Sequence, residues 1–174
     1  MIHSRGSKVF VLGGARSGKS GFALRAASAL AGRKVYLATA QAYDGEMRER
    51  IRRHREERTA EWDTIEEPVN LADLLAEIGD RYDVILVDCL TLWLSNLMLG
   101  SHDADAEIER LLLVFQETPA AVFVVSNEVG LGIVPENELA RAFRDRAGTL
   151  NQKIAAASDQ VYFVAAGIAM KMKG

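Results

Sequence analysis

The chain has 174 residues and a formal net charge of −3 at pH 7, from 21 Lys and Arg against 24 Asp and Glu. This length suits one compact domain that needs no disulfide or structural metal, so we expect residues 1–174 to form a single domain. The mild acidity does not suit bulk binding of nucleic acid or anionic lipid, but it leaves a local basic patch open. The single cysteine excludes an intrachain disulfide and favours a reducing cytosol, and no apolar run reaches the roughly 18 residues of a membrane span, so we expect a cytoplasmic protein.

Short apolar runs recur along the chain and predict the strands of a sheet. Each is four residues long and rich in β-branched or aromatic side chains; they cover residues 9–12, 35–38, 84–87, 122–125 and 161–164. Runs of this kind are typical of parallel strands covered on both faces, and the stretches between them have helical content. The sequence therefore predicts an α/β fold with a mostly parallel sheet. After Gly167, residues 168–173 partly alternate, which predicts an antiparallel edge strand bearing Lys171 and Lys173.

The segment after the first predicted strand has the pattern of a phosphate-binding loop. It reads Gly13, Gly14, Ala15, Arg16, Ser17, Gly18, Lys19 and Ser20, which fits G-x-x-x-x-G-K-[ST] at every fixed position. A helix-compatible run follows, as the motif requires. Backbone N–H groups and the helix N-terminus would bind phosphate oxygens, Lys19 would reach the β- and γ-phosphates, and the Ser20 hydroxyl would ligate Mg²⁺. The alternative, a glycine-rich turn with an accidental Gly-Lys-Ser, is far less frequent.

An acidic residue is expected near such a loop, at the end of a buried strand. Asp88 follows the apolar run 84–87 and would hold Mg²⁺ directly or through water. An Asp in this position is also often a helix cap, so the assignment depends on the loop.

Residues 44–58 are dense in charge and predict a mostly exposed helix. Met47, Ile51 and His54 fall on one face of that helix and would point toward the body of the protein. A neutral imidazole can be a nucleophile near pH 7, whereas the alternative interpretation is a histidine packed beside two apolar residues. The residues alone do not decide between the two.

Taken in order, these and further motifs resemble the bifunctional adenosylcobinamide kinase / adenosylcobinamide-phosphate guanylyltransferase family. Beyond the loop, the resemblance covers nearly the whole chain and rests on residues 36–40, 46–51 with His54 and Arg58, Trp62, Thr64, 66–68, 88–91, 126–135, 143–145, Gly148 and 151–152. The run 126–135 is the most distinctive of them. The family implies a P-loop NTPase fold with a RecA-like sheet, helices on both faces and a homotrimeric assembly.

The resemblance also implies two reactions and their residues. A nucleoside triphosphate, ATP or GTP, phosphorylates adenosylcobinamide; GTP then guanylylates an enzyme histidine, and the GMP passes to adenosylcobinamide phosphate. By match to the family pattern, His54 carries GMP, with Lys19 as the second catalytic residue. The positions that match the family's guanine-nucleotide contacts are Thr39, Ala40, Gln41, Arg55, Glu56, Glu57, Arg58, Glu66 and Asp88.

Two features depart from a simple transfer of the family pattern. Asp88 stands where some members have Glu, which shortens its reach by one methylene. The apolar run 90–99 predicts a helix that is either buried or a subunit contact. The corrinoid site is not assigned to side chains, although Asn127 and Glu128 are candidates because they end a predicted strand on the side where ligands bind in such sheets.

Two other functions remain open from the residues. The first is a monofunctional small-molecule kinase that uses the same loop and would keep its activity without His54. The second is a nucleotide-dependent switch or binding module, but the Asn-Lys-x-Asp guanine motif of Ras-like switches is absent from the sequence.

Overall fold

The computed structural model describes residues 6–40 and 61–174. Within these residues lie seven strands, which we number in chain order: β1 Lys8–Gly13, β2 Lys34–Ala38, β3 Trp62–Glu66, β4 Val84–Asp88, β5 Ala121–Asn127, β6 Gln160–Ala165 and β7 Ile168–Lys173. The helices of the same part of the chain are α1 Lys19–Ser28, α2 Leu71–Ile78, α3 Leu90–Leu99, α4 Ala104–Glu117 and α5 Glu138–Ala157. The predicted helix over residues 44–58, and with it His54, lies outside the described residues.

The strands form one sheet in the order β3-β2-β4-β5-β1-β6-β7. All neighbouring pairs are parallel except β6 and β7, which are antiparallel. The carboxyl ends of the parallel strands consequently meet at one edge of the sheet. All five apolar runs of the sequence lie in strands, so the expected α/β class, the mostly parallel sheet and the antiparallel edge strand are confirmed.

Helices cover both faces of the sheet, as expected. On one face, buried side chains of α1 such as Ala23 and Ala27 pack against Val9, Val11 and Leu86. On the other face, α2, α3, α4 and α5 pack against the alternate residues of the same strands. Side chains of successive strand residues point to opposite faces, and both faces of the central strands are buried here, so these strands read as continuous apolar runs.

Helix α3 settles the alternatives for the apolar run 90–99. Leu90, Trp93, Leu94 and Leu97 are buried in the sheet–helix core, and the indole N–H of Trp93 donates to the Val69 carbonyl at 2.7 Å. The run is thus mainly a core helix. Within the described residues, no helix has both the length and the apolar content to cross a bilayer.

Strand β3 is the element that the apolar pattern does not predict. It pairs in parallel with β2 at one edge of the sheet, with Trp62 beside Lys34 and Glu66 beside Ala38. Only Trp62 is buried in it, because an edge strand with one solvent-facing side needs few apolar residues. A five-residue strand with polar side chains carries too weak a period to be separated from a loop.

Candidate functional site

The phosphate-binding loop connects the end of β1 at Gly13 to the start of α1 at Lys19. Gly18 caps the helix with φ +93°, in the left-handed region that favours glycine. Its missing side chain also lets another turn approach, since a Cβ on Gly18 would lie 3.1 Å from the Cα of Gly167. The N–H of Gly167 donates to the carbonyl of Ser17 at 2.8 Å. The turn between β6 and β7 therefore holds the loop in place.

The loop begins at a second close approach, around Gly13. A Cβ at this position would lie 2.4 Å from the Val164 carbonyl oxygen and 2.7 Å from Ser17 Oγ. On the other side, the N–H of Glu128 donates to the Gly13 carbonyl at 3.1 Å. Gly13 is thus fixed between β5 and β6, which explains why the motif needs glycine at its first position.

Lys19 is buried, with 8% of the residue exposed. Its ammonium donates to the carbonyl oxygen of Gly14 at 3.1 Å, across the mouth of the loop. Ala15 and Arg16 are exposed at the loop tip, and Arg16 has a positive φ of 55°. The arrangement places a buried cation at the N-terminal end of α1. Both its charge and the helix dipole stabilise an anion bound there.

Asp88 ends β4 at the same edge of the sheet. In register it lies beside Ala38, which in turn lies beside Glu66 on β3. The hydroxyl of Tyr36 donates to Asp88 Oδ2 at 2.7 Å, and the Asp88–Cys89 peptide bond is cis. This hydrogen bond fixes the carboxylate at the carboxyl edge, where ligands bind in open α/β sheets.

The buried thiol of Cys89 lies near two charged side chains of the site, Asp88 and Lys19. Its thiol is buried, and burial, together with the nearby Asp88 charge, raises its pKa to about 11, while the Lys19 ammonium acts in the opposite direction. Asp88 and Lys19 are therefore both within electrostatic reach of one sulfur atom. With such a pKa the thiol is protonated at neutral pH, which excludes it as a thiolate nucleophile there.

Thr39 ties the ends of β2 and β4 together beneath the site. Its hydroxyl donates to the Cys89 carbonyl at 2.7 Å and accepts from the Cys89 N–H at 2.9 Å. Asn96 of α3 donates to the Thr39 carbonyl at 2.8 Å. The Thr39 side chain is fully buried, so its hydroxyl acts on the backbone, whereas the neighbouring Ala40 is partly exposed.

A polar network that the sequence analysis did not identify links α3, β5 and α5. Thr91 Oγ1 accepts from the backbone N–H of Asn127 at 2.7 Å and from its side-chain amide at 3.2 Å. With its acceptor positions filled, the Thr91 hydroxyl donates its own proton to Ser126 Oγ, 3.3 Å away. Asn151 of α5 donates to the Asn127 carbonyl at 3.2 Å. The network holds Asn127 at the carboxyl end of β5, and no local pattern in the sequence signals it.

The structure brings one part of the predicted site together at the carboxyl edge and leaves another part undescribed. The residues that it places there are the eight loop residues 13–20 together with Thr39, Ala40, Glu66, Asp88, Asn127 and Glu128. The candidates outside the described residues are His54, Gln41, Arg55, Glu56, Glu57 and Arg58. Their roles stay predictions.

The donor set at this edge fits a magnesium ion that also binds phosphate oxygens. Mg²⁺ in such sites takes one or two protein oxygens and the rest from phosphates and water. The Asp88 carboxylate is held by Tyr36 at one oxygen, and the Ser20 hydroxyl lies in the first turn of α1. Residues 6–40 and 61–174 contain no cluster of three or more His, Cys, Asp or Glu side chains.

The fold is shared with a solved structure of low sequence similarity. A KaiC-like protein of Pyrococcus horikoshii superposes with a TM-score of 0.53 at 12% identity, covering 91% of this chain and 71% of that one. This likeness concerns the fold alone. It confirms the predicted RecA-like, P-loop NTPase class of fold.

Sequence comparisons extend over nearly the whole chain. A protein of Pseudomonas aeruginosa named bifunctional adenosylcobalamin biosynthesis protein CobP is 49% identical over 166 residues, 94% of this chain and 96% of that protein. A protein of Escherichia coli named bifunctional adenosylcobalamin biosynthesis protein CobU is 42% identical over 183 residues, 95% of this chain and 99% of that protein. Residues 9–172 match the family model described as cobinamide kinase / cobinamide phosphate guanyltransferase. The predicted resemblance and enzyme class are thereby confirmed: the chain belongs to the cobinamide kinase / cobinamide phosphate guanyltransferase family.

Proposed function

We propose that this enzyme phosphorylates adenosylcobinamide and then transfers GMP from GTP to the product, through a GMP-histidine intermediate, to form adenosylcobinamide-GDP in adenosylcobalamin biosynthesis. Family membership supports the two reaction types, and the relatives are named as bifunctional proteins of adenosylcobalamin biosynthesis. The observation that carries the proposal is the complete phosphate-binding loop with its buried Lys19. Lys19 and Asp88 both lie within electrostatic reach of the Cys89 thiol, so the two charged groups are close to each other.

For the kinase step, the loop binds and orients the triphosphate of ATP or GTP. Its backbone N–H groups and the α1 N-terminus bind phosphate oxygens, and the Lys19 ammonium exchanges the Gly14 carbonyl for a phosphate oxygen. The hydroxyl of the corrinoid's aminopropanol arm attacks the γ-phosphorus, the bond to the bridging oxygen of the β-phosphate breaks, the nucleoside diphosphate leaves, and the hydroxyl proton passes to solvent. The buried ammonium stabilises the charge that develops on the leaving oxygens.

Ser20 and Asp88 are the residues that would hold Mg²⁺. When bound, the ion supplies further neutralisation of phosphate charge. Tyr36 keeps the Asp88 carboxylate in place by its hydrogen bond to Oδ2, 2.7 Å long. Asp88 is thus oriented before any ligand enters, and no reorganisation of this side chain is required.

For the transferase step, His54 is the nucleophile. A ring nitrogen of its neutral imidazole attacks the α-phosphorus of GTP, an N–P bond forms, and the bond to the β-phosphate oxygen breaks to release pyrophosphate. A phosphate oxygen of adenosylcobinamide phosphate then attacks the same phosphorus, the N–P bond breaks, and the imidazole is restored. The proposed nucleotide contacts are the loop residues 13–20 and Thr39, Ala40, Gln41, Arg55, Glu56, Glu57, Arg58, Glu66 and Asp88.

The test is covalent labelling with GTP that carries ³²P at the α-phosphate. We expect an acid-labile, base-stable label on the protein, lost in His54→Ala; in Lys19→Ala we expect weakened nucleotide binding. Phosphorylation of adenosylcobinamide should persist in His54→Ala, because the kinase step does not use the imidazole. If the protein phosphorylates adenosylcobinamide but never takes up the ³²P label from GTP, the enzyme is a monofunctional kinase. If adenosylcobinamide is neither phosphorylated nor converted further, both proposed steps are contradicted.

The homotrimer and the cytoplasmic location are parts of the same proposal. The family resemblance implies the trimer, so light scattering on the purified protein should give three times the chain mass of 19.1 kDa. A monomeric mass would contradict the assembly without affecting the proposed chemistry.

A further inference from the structure

An apolar segment leaves the sheet directly beside the phosphate-binding loop. It comprises residues 129–135 and follows β5, and the N–H of Glu128 at its start donates to the Gly13 carbonyl at 3.1 Å. Leu131, Ile133 and Val134 in this segment are 83%, 96% and 59% exposed. Three large apolar side chains in solvent within four residues are unusual for a soluble surface and mark a binding surface.

Both ends of the segment are held, so the exposure does not come from a loose loop end. Val129 packs against the core, and Glu128 Oε1 accepts from the N–H of Gly130 at 2.6 Å. At the far end, Arg141 of α5 donates to the Pro135 carbonyl at 3.0 Å. The Asn137 side chain caps α5 by accepting from the Ala140 N–H at 3.1 Å. The segment therefore presents its side chains on a supported backbone.

A groove with further exposed apolar side chains lies between α3 and the start of α5. The groove has a volume of about 230 Å³ and is lined by side chains of α3 and the start of α5, among them Met98, Leu99, Leu139 and Phe143. Leu99 and Leu139 are themselves more than half exposed.

The charges around this surface select for a cationic or neutral ligand. Residues 129–135 carry no charged side chain, and the exposed acidic residues Glu136 and Glu138 follow directly. The guanidinium of Arg141 donates to the backbone carbonyls of Pro135 and Glu136. Exposed carboxylates beside an uncharged apolar segment favour an apolar ligand of positive charge.

We propose that the exposed apolar side chains of residues 129–135 form the surface on which the corrin ring of adenosylcobinamide packs, placing its aminopropanol arm at the phosphate-binding loop. This inference rests on the proposed function. The alkylated cobalt(III) corrin combines a net positive charge with methyl-bearing hydrocarbon parts and neutral amide arms, which matches an uncharged apolar segment bordered by carboxylates in polarity and charge. The connection from Glu128 to Gly13 keeps the ring within reach of the transferred phosphate.

The test compares Leu131→Ser, Ile133→Ser and the double variant with the wild type in the adenosylcobinamide kinase assay. Serine removes the apolar contact at side chains that are already in solvent, so folding should be preserved. We expect the double variant to raise the KM for adenosylcobinamide about tenfold or more, while the KM for the nucleotide stays within about twofold. The matched control is Leu113→Ser, since Leu113 is 61% exposed on α4, outside the segment; its KM values should equal those of the wild type.

Two further readouts keep the inference separate from the proposed function. Ultrafiltration with adenosylcobinamide alone measures corrinoid binding without chemistry, and the double variant should retain less of it than the wild type. An unchanged KM and unchanged retention would overturn the inference even if the wild type is an active kinase. A lower oligomeric mass of the double variant in light scattering would overturn it too, because the surface would then be a contact between copies of the chain. A wild type that binds the corrinoid at this surface but does not phosphorylate it would contradict only the proposed function.

Discussion

Cys89 occupies a position in which a cysteine is easily taken for a nucleophile. It directly follows Asp88 at the carboxyl edge and lies within electrostatic reach of Lys19. Burial nevertheless raises the pKa of its thiol to about 11, and the Asp88 charge adds to this effect. Asn127 directs its side-chain amide at the sulfur from 3.8 Å. Cys89 is thus a packed, protonated side chain beneath the site, and its environment gives a measurable dependence of stability on pH.

We predict that Cys89 lowers the stability of the fold in alkali. Above about pH 9 the thiol ionises in the unfolded chain but stays protonated in the folded one, so the unfolded state binds fewer protons and the free energy of unfolding falls up to about pH 11. The full effect is of the order of 2–3 kcal/mol. Denaturant unfolding of wild type and Cys89→Ala between pH 7 and 11 should give a steeper decline for the wild type.

The comparison with Cys89→Ala isolates this titration. Lys8, whose pKa is lowered by burial, and Tyr82 and Tyr162, whose pKa values are raised first by burial, are present in both proteins. The two proteins differ only in the thiol. Curves of unfolding free energy against pH that run parallel would therefore contradict a raised pKa of Cys89.

The two glycines at the start of the phosphate-binding loop differ sharply in their surroundings. A Cβ on Gly13 would lie 2.4 Å from a backbone carbonyl of β6, whereas a Cβ on Gly14 meets no described atom within 4 Å. We predict that Gly13→Ala lowers the free energy of unfolding by about 1–3 kcal/mol, because strand β6 must shift. Gly14→Ala should leave stability within about 0.5 kcal/mol of the wild type. Denaturant unfolding measures both, and equal losses would contradict the proposed role of the close approach.

At the scale of elements, the turn between β6 and β7 supports the phosphate-binding loop. Ala166 and Gly167 both have positive φ, at 51° and 79°, as a two-residue hairpin turn requires. The Gly167 N–H bond to Ser17 connects this hairpin to the loop. The edge strand is therefore coupled to nucleotide binding through one backbone hydrogen bond.

We predict that Gly167→Pro weakens nucleotide binding more than Gly167→Ala does. Alanine can adopt the φ of 79° at this position at a cost, whereas proline cannot, and only proline removes the N–H that donates to the Ser17 carbonyl. The lost hydrogen bond alone corresponds to about 0.5–1.5 kcal/mol, so the nucleotide Kd of Gly167→Pro should exceed that of Gly167→Ala by at least about 2- to 12-fold. Isothermal titration with GTP measures the difference, and identical Kd values would show that the turn acts only on stability.

Elements also differ in how far the sequence predicts them. Buried parallel strands need apolar side chains on both faces, so β1, β2, β4, β5 and β6 are evident, and the phosphate-binding loop follows from its fixed spacing. Strand β3 is hidden because its partner and its edge position are set by tertiary structure. The network of Thr91, Ser126 and Asn127 is hidden for the same reason: Thr91 is 35 and 36 residues away from its two partners along the chain, and they meet only when α3 packs beside β5.

On the scale of the whole molecule, the phosphate-binding loop contacts strand β6 and the residues that adjoin β5 and β7. Gly13 accepts from Glu128 after β5 and packs against Val164 of β6, and Ser17 accepts from Gly167 before β7. A ligand that orders this loop therefore stabilises one side of the sheet. That residues 1–174 form a single domain stays a prediction. If they do, thermal unfolding should occur in one transition, and bound nucleotide should shift that whole transition.

We predict that GTP raises the thermal stability of the whole fold in a single transition. At a concentration 100 times the Kd, binding adds about 2.7 kcal/mol to the free energy of unfolding. The rise in Tm, followed by calorimetry, should be smaller in Lys19→Ala at the same GTP concentration, because this variant lacks the cation at the loop. Two separate transitions, of which only one moves with GTP, would contradict a single cooperative domain.

The position of β1 in the sheet has a consequence for biosynthesis. Its two neighbours, β5 and β6, come from residues 121–165, so the strand that carries the loop emerges from the ribosome more than 100 residues before either partner. At about 5–20 residues per second, this interval lasts roughly 5–20 seconds. During that time β1 is an unpaired apolar strand. The nascent chain can bind nucleotides only after these late-synthesised residues have paired with β1.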